Sequence, residues 1–417
     1  MLTTTSKETK PLRYSTYALW LLLAVNLINY IDRQVLYAVF PLIKADLQLS
    51  DTALGFLGSA FIICYMVSAP LIGWLGDRLS RVRLASLGLA FWSLATAGAG
   101  FASSYQALLA ARTAVGIGEA SFGTVAPSLL SDYFPKEHRA RVLSYFYLAI
   151  PVGSAFGYLL GGIIGQAVGW HSAFLLVGIP GLILALPLGW LRESPRGGNQ
   201  ETRAICPGAK RRDYIALLTN LSFITNTGAM AAMTFALGGL AQWVPTFLYR
   251  LHNLDVARGN ALFGAVTVLA GITGTLTGGW LGDRLQQRNR KGYLIVSGWG
   301  LLIGAPVTVF ALLIPSLPAC ITGIFFAEFF LFLNTGPLNT VILIVTRPSV
   351  RVMAFAVNIF FIHALGDAVS PTILGWLSDR WGLRTALLIA PLAILIAAVL
   401  CFLCTRFIER DSEVEAP

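Results

Sequence analysis

The chain has 417 residues, of which 56% are hydrophobic and only 12% are charged, and its formal net charge is +10. Charged residues are about half as frequent as in soluble globular proteins, so they cannot cover so many apolar residues in water. This composition excludes secreted disulfide-stabilised domains and disordered tails, and it makes a nucleic-acid-binding domain remote despite the positive charge. We expect a protein embedded in a lipid bilayer.

Segments long enough to cross about 30 Å of hydrocarbon predict an all-α membrane protein. The first segment is too long for the apolar core of a signal peptide and contains Asp32 and Arg33, so we expect it to be retained as a helix. Twelve such segments follow one another along the chain: 17–40, 53–76, 83–101, 105–131, 141–168, 172–191, 219–249, 260–282, 292–314, 317–346, 352–377 and 383–407.

Lysine and arginine residues are concentrated on one side of these segments. With both termini placed in the cytoplasm, 23 of the 30 basic residues lie in cytoplasmic segments and five in outer loops, while Arg33 and Arg112 lie within helices. Because basic loops stay in the cytoplasm, this bias predicts a multi-pass protein of the cell (inner) membrane with both termini inside. It also accounts for the net charge without a nucleic-acid partner.

An internal repeat divides the chain in two. Residues 73–79 and 279–285 share the sequence Gly-Trp-Leu-Gly-Asp-Arg-Leu, and a partial third copy occupies residues 375–380. The longest predicted cytoplasmic connection is basic and separates the sixth segment from the seventh. We therefore predict an N-terminal six-helix bundle, a cytoplasmic linker and a C-terminal six-helix bundle, at residues 1–191, 192–218 and 219–417.

Two six-helix halves with matching loop motifs resemble the major facilitator superfamily. The family motif Gly-x-x-x-Asp-Arg-x-x-Arg is present as Gly73, Asp77, Arg78 and Arg81. The resemblance implies two pseudo-symmetric six-helix bundles that expose a central site to each side of the membrane in turn, which is transport by alternating access.

The same resemblance implies a gate in the inner loops. Its predicted members are the motif residues, their counterparts in the second half and two arginines of a neighbouring loop: Gly73, Asp77, Arg78, Arg81, Arg139, Arg141, Asp283 and Arg284. The first aspartate is expected to cap the N-terminus of a facing helix or to pair with an arginine of the neighbouring loop. Such contacts would exist only while the inner side is closed.

Three stretches of the first half resemble the spinster family more narrowly: Asn-Tyr-Ile-Asp-Arg at 29–33, Arg-Thr-Ala-Val-Gly-Ile-Gly-Glu-Ala-Ser at 112–121 and Ser-Tyr-Phe-Tyr-Leu-Ala-Ile-Pro-Val-Gly-Ser at 144–154. Members of that family are thought to move lysolipids and sphingoid phosphates. The resemblance therefore implies an amphiphilic anionic substrate, such as a lysophospholipid or a lipid like sphingosine-1-phosphate. It further implies a bacterial-type relative that works as a monomer and needs no cofactor beyond a proton gradient.

Ionisable residues inside hydrocarbon are costly, so each needs a reason. Seven lie within the predicted segments and away from their ends: Asp32, Arg33, Arg112, Glu119, Glu328, His363 and Asp367. The helical rise places Asp32 roughly 12 Å and Arg112 roughly 10 Å below the outer face, so we expect them to pair. Glu119 lies two turns deeper on nearly the same face. We interpret Asp32, Arg112 and Glu119 as a proton-coupling site. The alternative is a permanent ion pair that orients two helices, with Glu119 bonded to a serine such as Ser121.

The predicted substrate site combines guanidinium groups for a phosphate or carboxylate headgroup with aromatic side chains for an acyl tail. Its members are Arg33, Arg112, Glu119, Tyr30, Tyr37, Phe235, Phe326, Glu328 and Phe330. For Glu328, a buried hydrogen bond is an equal alternative. His363 and Asp367 are four residues apart on one helix and can touch; we favour a structural contact there over a proton relay.

The alternative function is a facilitator-type exporter of drugs or small organic anions. A lateral opening wide enough for an acyl chain would favour lipid transport. A lipid enzyme would need a nucleophile or a metal cluster, but the chain has no Gly-x-Ser-x-Gly or His-Glu-x-x-His motif and only four histidines. A channel would lack the duplicated gate. We therefore expect a transporter that has no metal site.

Overall fold

The computed structural model describes residues 9–76, 78–134, 136–193, 217, 219–347 and 350–412. Within these ranges the regular structure is helical. The first half contains α1 (Thr9–Ala38), α2 (Phe40–Leu47), α3 (Asp51–Gly76), α4 (Arg81–Ala99), α5 (Tyr105–Tyr133), α6 (Lys136–Val168) and α7 (Trp170–Gly189). The second half contains α8 (Leu221–Leu251), α9 (Val256–Gln286), α10 (Gly292–Leu313), α11 (Leu317–Phe332), α12 (Thr335–Val345), α13 (Arg351–Ile362), α14 (Ser370–Trp381), α15 (Leu383–Leu387), α16 (Ile389–Cys404) and α17 (Ile408–Ser412).

Eleven helical stretches of the described residues are long and apolar enough to cross a membrane, and they coincide with eleven of the twelve predicted segments. The remaining segment is α5, whose mean hydropathy is lowered by Arg112 and Glu119. Its 29 residues extend over about 43 Å, which is more than a bilayer requires. The chain is thus an all-α membrane protein, and its helices fit twelve membrane crossings.

Three predicted segments are interrupted in ways that apolar length alone does not predict. The segment 317–346 divides into α11 and α12, and Pro337 lies in the first turn of α12, where a proline costs no helical hydrogen bond. The segment 352–377 contains a π-helical turn, His363–Asp367, in which Gly366 has a φ of −100° and a ψ of −107°. The segment 383–407 changes from α15 to α16 at Leu388.

The contacts divide the chain into two compact units. The first unit comprises Met1–Leu47 and Ile63–Gly198, and the second comprises Gln48–Ile62 and Asn199–Pro417. The N-terminal half of α3 therefore belongs to the second unit by its contacts, although it precedes most of the first unit in the chain.

Glycines on α6 bring this helix close to α1 in the first unit. A side-chain carbon placed at Gly153 would lie 2.8 Å from the backbone oxygen of Leu27, and one placed at Gly157 would lie 2.6 Å from that of Ile31. Both distances are shorter than real carbon contacts, so only glycine permits this approach. This close packing holds the part of α1 that carries the charged residues.

Candidate functional site

Asp32 and Arg112 form an ion pair inside the first unit. Arg112 Nη1, on α5, donates to Asp32 Oδ1, on α1, over 3.1 Å, and neither side chain is more than 1% exposed. The other carboxylate oxygen accepts a hydrogen bond from the hydroxyl of Thr96 on α4. The pairing predicted from helical rise is confirmed, and Thr96 is a further partner that nothing in the sequence indicated.

Arg33 and Glu119 form a second ion pair between the same two helices. Arg33 Nε donates to Glu119 Oε2 over 2.8 Å; the Glu119 side chain is completely buried, whereas that of Arg33 is 19% exposed. The guanidinium carbon lies 5.0 Å from the ring centre of Tyr30 and 5.1 Å from that of Tyr65. Both rings are within the range of cation–π attraction. The site is therefore a pair of buried ion pairs with one accessible arginine.

Two sequence predictions need correction here. The suggested contact between Glu119 and Ser121 is wrong, because Ser121 Oγ donates to the backbone oxygen of Gly118 over 2.7 Å instead. Arg112 was expected to reach a substrate headgroup as well as Asp32, but its side chain has no exposed surface in this structure. Arg33 is the one of the two arginines that a molecule outside the unit can contact.

The predicted aromatic lining is only partly assembled. Tyr30 lies beside Arg33, whereas the ring of Tyr37 packs edge-on against Phe40 with 5.7 Å between ring centres. Phe235 is half-buried in the second unit, Phe330 packs against Gly304, and Phe326 is exposed. Tyr65 joins the site from α3. Its role was not predicted because its proximity to Arg33 depends on tertiary packing.

Two predicted ionisable sites lie in the second unit. Glu328, on α11, is 2% exposed, and its Oε1 accepts a hydrogen bond from Thr267 on α9 over 3.2 Å. His363 Nδ1 and Asp367 Oδ1 lie 2.8 Å apart at the two ends of the π-helical turn. The predicted contact between these two side chains is confirmed, and it spans the most distorted backbone of that helix.

The duplicated loop motif has a local structure of its own. In all three copies the arginine guanidinium lies over the tryptophan ring four residues earlier. In the second and third copies this spacing places both residues on one helix face. The distances to the ring centre are 3.7 Å for Arg78 over Trp74, 5.5 Å for Arg284 over Trp280 and 4.0 Å for Arg380 over Trp376. Among the described residues, no atom outside the local helix backbone lies within 4 Å of where a side chain would begin at Gly73 or Gly279. No close contact with another described residue therefore requires a glycine at these two positions.

Arg81 is the best-anchored of the predicted gate residues. Its Nη1 lies 2.7 Å from Asp132 Oδ2, and its Nε lies 3.1 Å from Glu193 Oε1. Glu193 also accepts hydrogen bonds from Ser80 Oγ and the backbone N–H of Val82, so it caps the N-terminus of α4. Burial raises the pKa of Glu193, but these hydrogen bonds outweigh burial and hold its pKa below the usual value. Glu193 is thus a helix-capping carboxylate that the sequence did not indicate.

The structure describes fewer contacts for the other predicted gate residues. Asp77 and the side chain of Arg139 lie outside the described residues. Arg141 is exposed. Asp283 accepts a hydrogen bond from the hydroxyl of Tyr293 over 2.7 Å, which joins the end of α9 to the start of α10.

A polar cluster that sequence reasoning missed joins α3, α8 and α14 within the second unit. The guanidinium of Arg250 donates to both carboxylate oxygens of Asp51 over 2.6 and 2.7 Å. Asp379, in the third motif copy, accepts from the backbone N–H groups of Asp51 and Thr52, both over 2.8 Å, and so caps α3. Ser378 donates to Asp51 as well. The third copy is the only signal in the sequence that pointed to this end of α14.

Among the described residues, no group of three or more His, Cys, Asp or Glu side chains could hold a metal ion. The residues of the site are carboxylates, guanidinium groups and aromatic rings, which can bind an anion, make and break ion pairs, and hold protons.

Comparison with known proteins identifies the class. Residues 22–371 match the sequence profile of the Major Facilitator Superfamily, so the chain is a membrane transporter of that superfamily and not an enzyme. Within it, the chain belongs to the spinster family. It is 34% identical over 431 residues to Protein spinster homolog 1 of Xenopus tropicalis, which covers 96% of this chain and 82% of that protein. It is 36% identical over 379 residues to Protein spinster homolog 1 of Homo sapiens, covering 85% and 71%.

The fold is similar to a solved structure of the same family. The crystal structure of a bacterial homolog of the human lysosomal transporter Spinster, in its inward-facing and unoccupied conformation, matches with a TM-score of 0.87 and 25% identity. The match covers 97% of this chain and 99% of that chain.

Proposed function

We propose that the protein is a proton-coupled secondary transporter of amphiphilic anionic lipids of the lysophospholipid or sphingosine-1-phosphate type. It works by alternating access, as a monomer and without a cofactor, in the cell membrane with both termini in the cytoplasm. The observation that carries the proposal is the Arg33–Glu119 pair, in which the arginine is partly exposed and the carboxylate is completely buried.

The exposed side of Arg33 supports an anionic substrate. A guanidinium group binds a phosphate or carboxylate through two parallel hydrogen bonds, which makes it the preferred side chain for such headgroups. The rings of Tyr30 and Tyr65 flank it at about 5 Å and offer apolar surface to the first carbons of an acyl chain. The headgroup therefore binds at Arg33 and the tail extends over the aromatic rings.

The buried side of the same pair supports proton coupling. An anion that binds Arg33 competes with Glu119 for the guanidinium. A buried carboxylate that loses its cation is too costly as an ion and takes up a proton instead. Substrate binding at Arg33 and protonation of Glu119 thus depend on each other.

The Asp32–Arg112 pair supplies a second, enclosed step. Its two side chains come from α1 and α5 and have almost no exposed surface, so Asp32 can exchange a proton only when these helices move apart. Protonation of Asp32 is thereby tied to the conformation of the first unit. Such a link between proton exchange and helix movement is what alternating access with proton coupling requires.

The test is transport of an anionic lysophospholipid into proteoliposomes under an imposed pH gradient. We expect gradient-dependent transport by the wild type, and its loss or uncoupling in Glu119→Gln and Asp32→Asn, because an amide keeps the shape but cannot titrate. Glu409→Gln, which changes an exposed carboxylate outside the membrane helices, is the matched control. Undiminished gradient dependence in both site variants would refute the coupling. Equal transport of a short-chain phosphate with the same headgroup would refute the lipid substrate and favour an exporter of small organic anions.

A further inference from the structure

Glu328 is a buried carboxyl group that takes no part in the two ion pairs of the first unit. It lies in the middle of α11, 2% exposed, with Oε1 bonded to Thr267. Its second oxygen, Oε2, has no hydrogen-bond partner among the described residues. A buried carboxylate in this position would be very costly as an ion, because nothing replaces the water it has lost.

Three helices that pack against α11, namely α8, α9 and α10, bring no charge close to Glu328. Arg384 of α15 acts on Cys320, which lies eight residues, or about 12 Å, before Glu328 along α11. Within α8, the only charged residue is Arg250, which is bound to Asp51, and α10 has no Asp, Glu, Lys, Arg or His. The charged residues of α9 are Arg258, Asp283 and Arg284, at its two ends. Relative to Thr267, which contacts Glu328, Arg258 lies about 13 Å and Asp283 about 24 Å along the helix axis. The groups that face Glu328 are therefore hydroxyls and hydrocarbon.

A small pocket adjoins the carboxyl group within the second unit. It lies between α8, α10 and α11, has room for about one water molecule, and is lined mainly by Leu240, Val244, Ala311, Leu312 and Ile324, with Glu328 and Thr308 as its polar members. A lipid headgroup does not fit there, so the substrate-binding role predicted for Glu328 has no support in this conformation. A proton, with or without one water, does fit.

The internal repeat shows what distinguishes Glu328 from Glu119. The offset of 206 residues between the two full motif copies places Glu328 opposite residue 122, within one helical turn of Glu119. The same offset places Gly238 and Gly239 opposite Asp32 and Arg33. The second half therefore carries a carboxyl group at the equivalent depth, but glycines occupy the positions that correspond to Asp32 and Arg33.

From this geometry we propose that Glu328 is a second proton-binding site of the transporter, separate from the two ion pairs of the first unit and occupied by a proton in this conformation. At Glu119, the charge of the carboxylate is balanced by Arg33. At Glu328 it is balanced by the bound proton itself, with the adjoining pocket as the place where a water molecule can deliver or accept that proton.

Infrared spectroscopy of the protein in lipid, without substrate, tests this proposal independently of the transport function. We expect the wild type to show the carbonyl band of a protonated carboxylic acid that Glu328→Gln lacks and that the exposed-carboxylate control Glu409→Gln retains. The band should shift in heavy water and decline as the pH is raised.

Two results would overturn the proposal. If the wild type and Glu328→Gln have the same spectrum in this region, Glu328 is ionised. If the band neither shifts in heavy water nor changes with pH, Glu328 is a protonated carboxyl group that does not exchange its proton and has only a structural role. Should Glu328→Gln fail to fold, Glu328→Asp keeps the acid and should move the band; an unmoved band would assign it to another residue and refute the site.

Discussion

Replacing Asp32 and replacing Arg112 should lower the stability of the protein by different amounts. Asp32→Asn leaves Arg112 charged and completely enclosed, and arginine cannot give up its proton. We expect this variant to lose about 3–5 kcal/mol of stability, the range for removing one partner of a buried ion pair. Arg112→Gln should lose less, because Asp32 keeps its bond from Thr96 and can become neutral by taking up a proton. The double variant has two neutral hydrogen-bonding groups and should fall within about 1 kcal/mol of the wild type.

The assay is reversible unfolding of the four proteins of this cycle in the same detergent or bicelle, with anionic lysolipid affinity measured on the same samples. The coupling energy between the two sites should be several kcal/mol and favourable. If Asp32→Asn is as stable as the wild type, or if the double variant is no more stable than Asp32→Asn, the stability of the fold does not depend on the pairing of Asp32 with Arg112. Because Arg112 is enclosed, a stable double variant should also retain its lysolipid affinity; a large loss of affinity would return Arg112 to the headgroup site.

Three further predictions concern the motif regions. Asp379→Ala should lower the stability by about 1 kcal/mol because it removes the cap of α3. Asp283→Ala, at the same motif position but bonded to a single hydroxyl, should lower it less in the same unfolding assay. Equal losses of stability would contradict the capping role. The ionised form of Glu193 stabilises the fold, because its pKa is lower in the folded than in the unfolded chain. Its contribution is therefore present above about pH 4.3 and lost as the pH falls through the folded pKa. The stability gap between wild type and Glu193→Gln should close in acid, and a constant gap would refute the argument. Gly73→Ala should leave stability equal or raise it by about 0.5–1 kcal/mol, since alanine favours a helix and no other described residue lies within 4 Å of the added carbon; lower stability would show that the space is filled.

The features that the sequence predicted well are those set by position along a helix. Eleven of the twelve membrane segments follow from apolar length, and the depth of Asp32 and Arg112 follows from helical rise alone. The contact between His363 and Asp367 follows from a spacing of four residues on one helix. Each of these requires only the local geometry of a helix.

The features that were missed depend on how helices rotate and pack against one another. Whether Glu119 faces Arg33 or a serine on its own helix depends on how α5 is rotated about its axis. Apolar periodicity does not specify that rotation in a helix surrounded by lipid and protein. Tyr65 and Thr96 reach the site from other helices. Asp51 and Asp379 are 328 residues apart, and although the third motif copy drew attention to Asp379, nothing local indicates its partner.

A substrate-driven proton flux measures most directly whether the movements of substrate and protons are coupled. Wild-type protein is reconstituted into vesicles with a pH-sensitive dye, equal pH on both sides and no membrane potential, and a gradient of anionic lysophospholipid is then imposed. We predict that the lysolipid gradient alone moves protons and builds a pH difference, and that Glu119→Gln moves lysolipid without protons. Lysolipid transport by the wild type with no change in internal pH would contradict it.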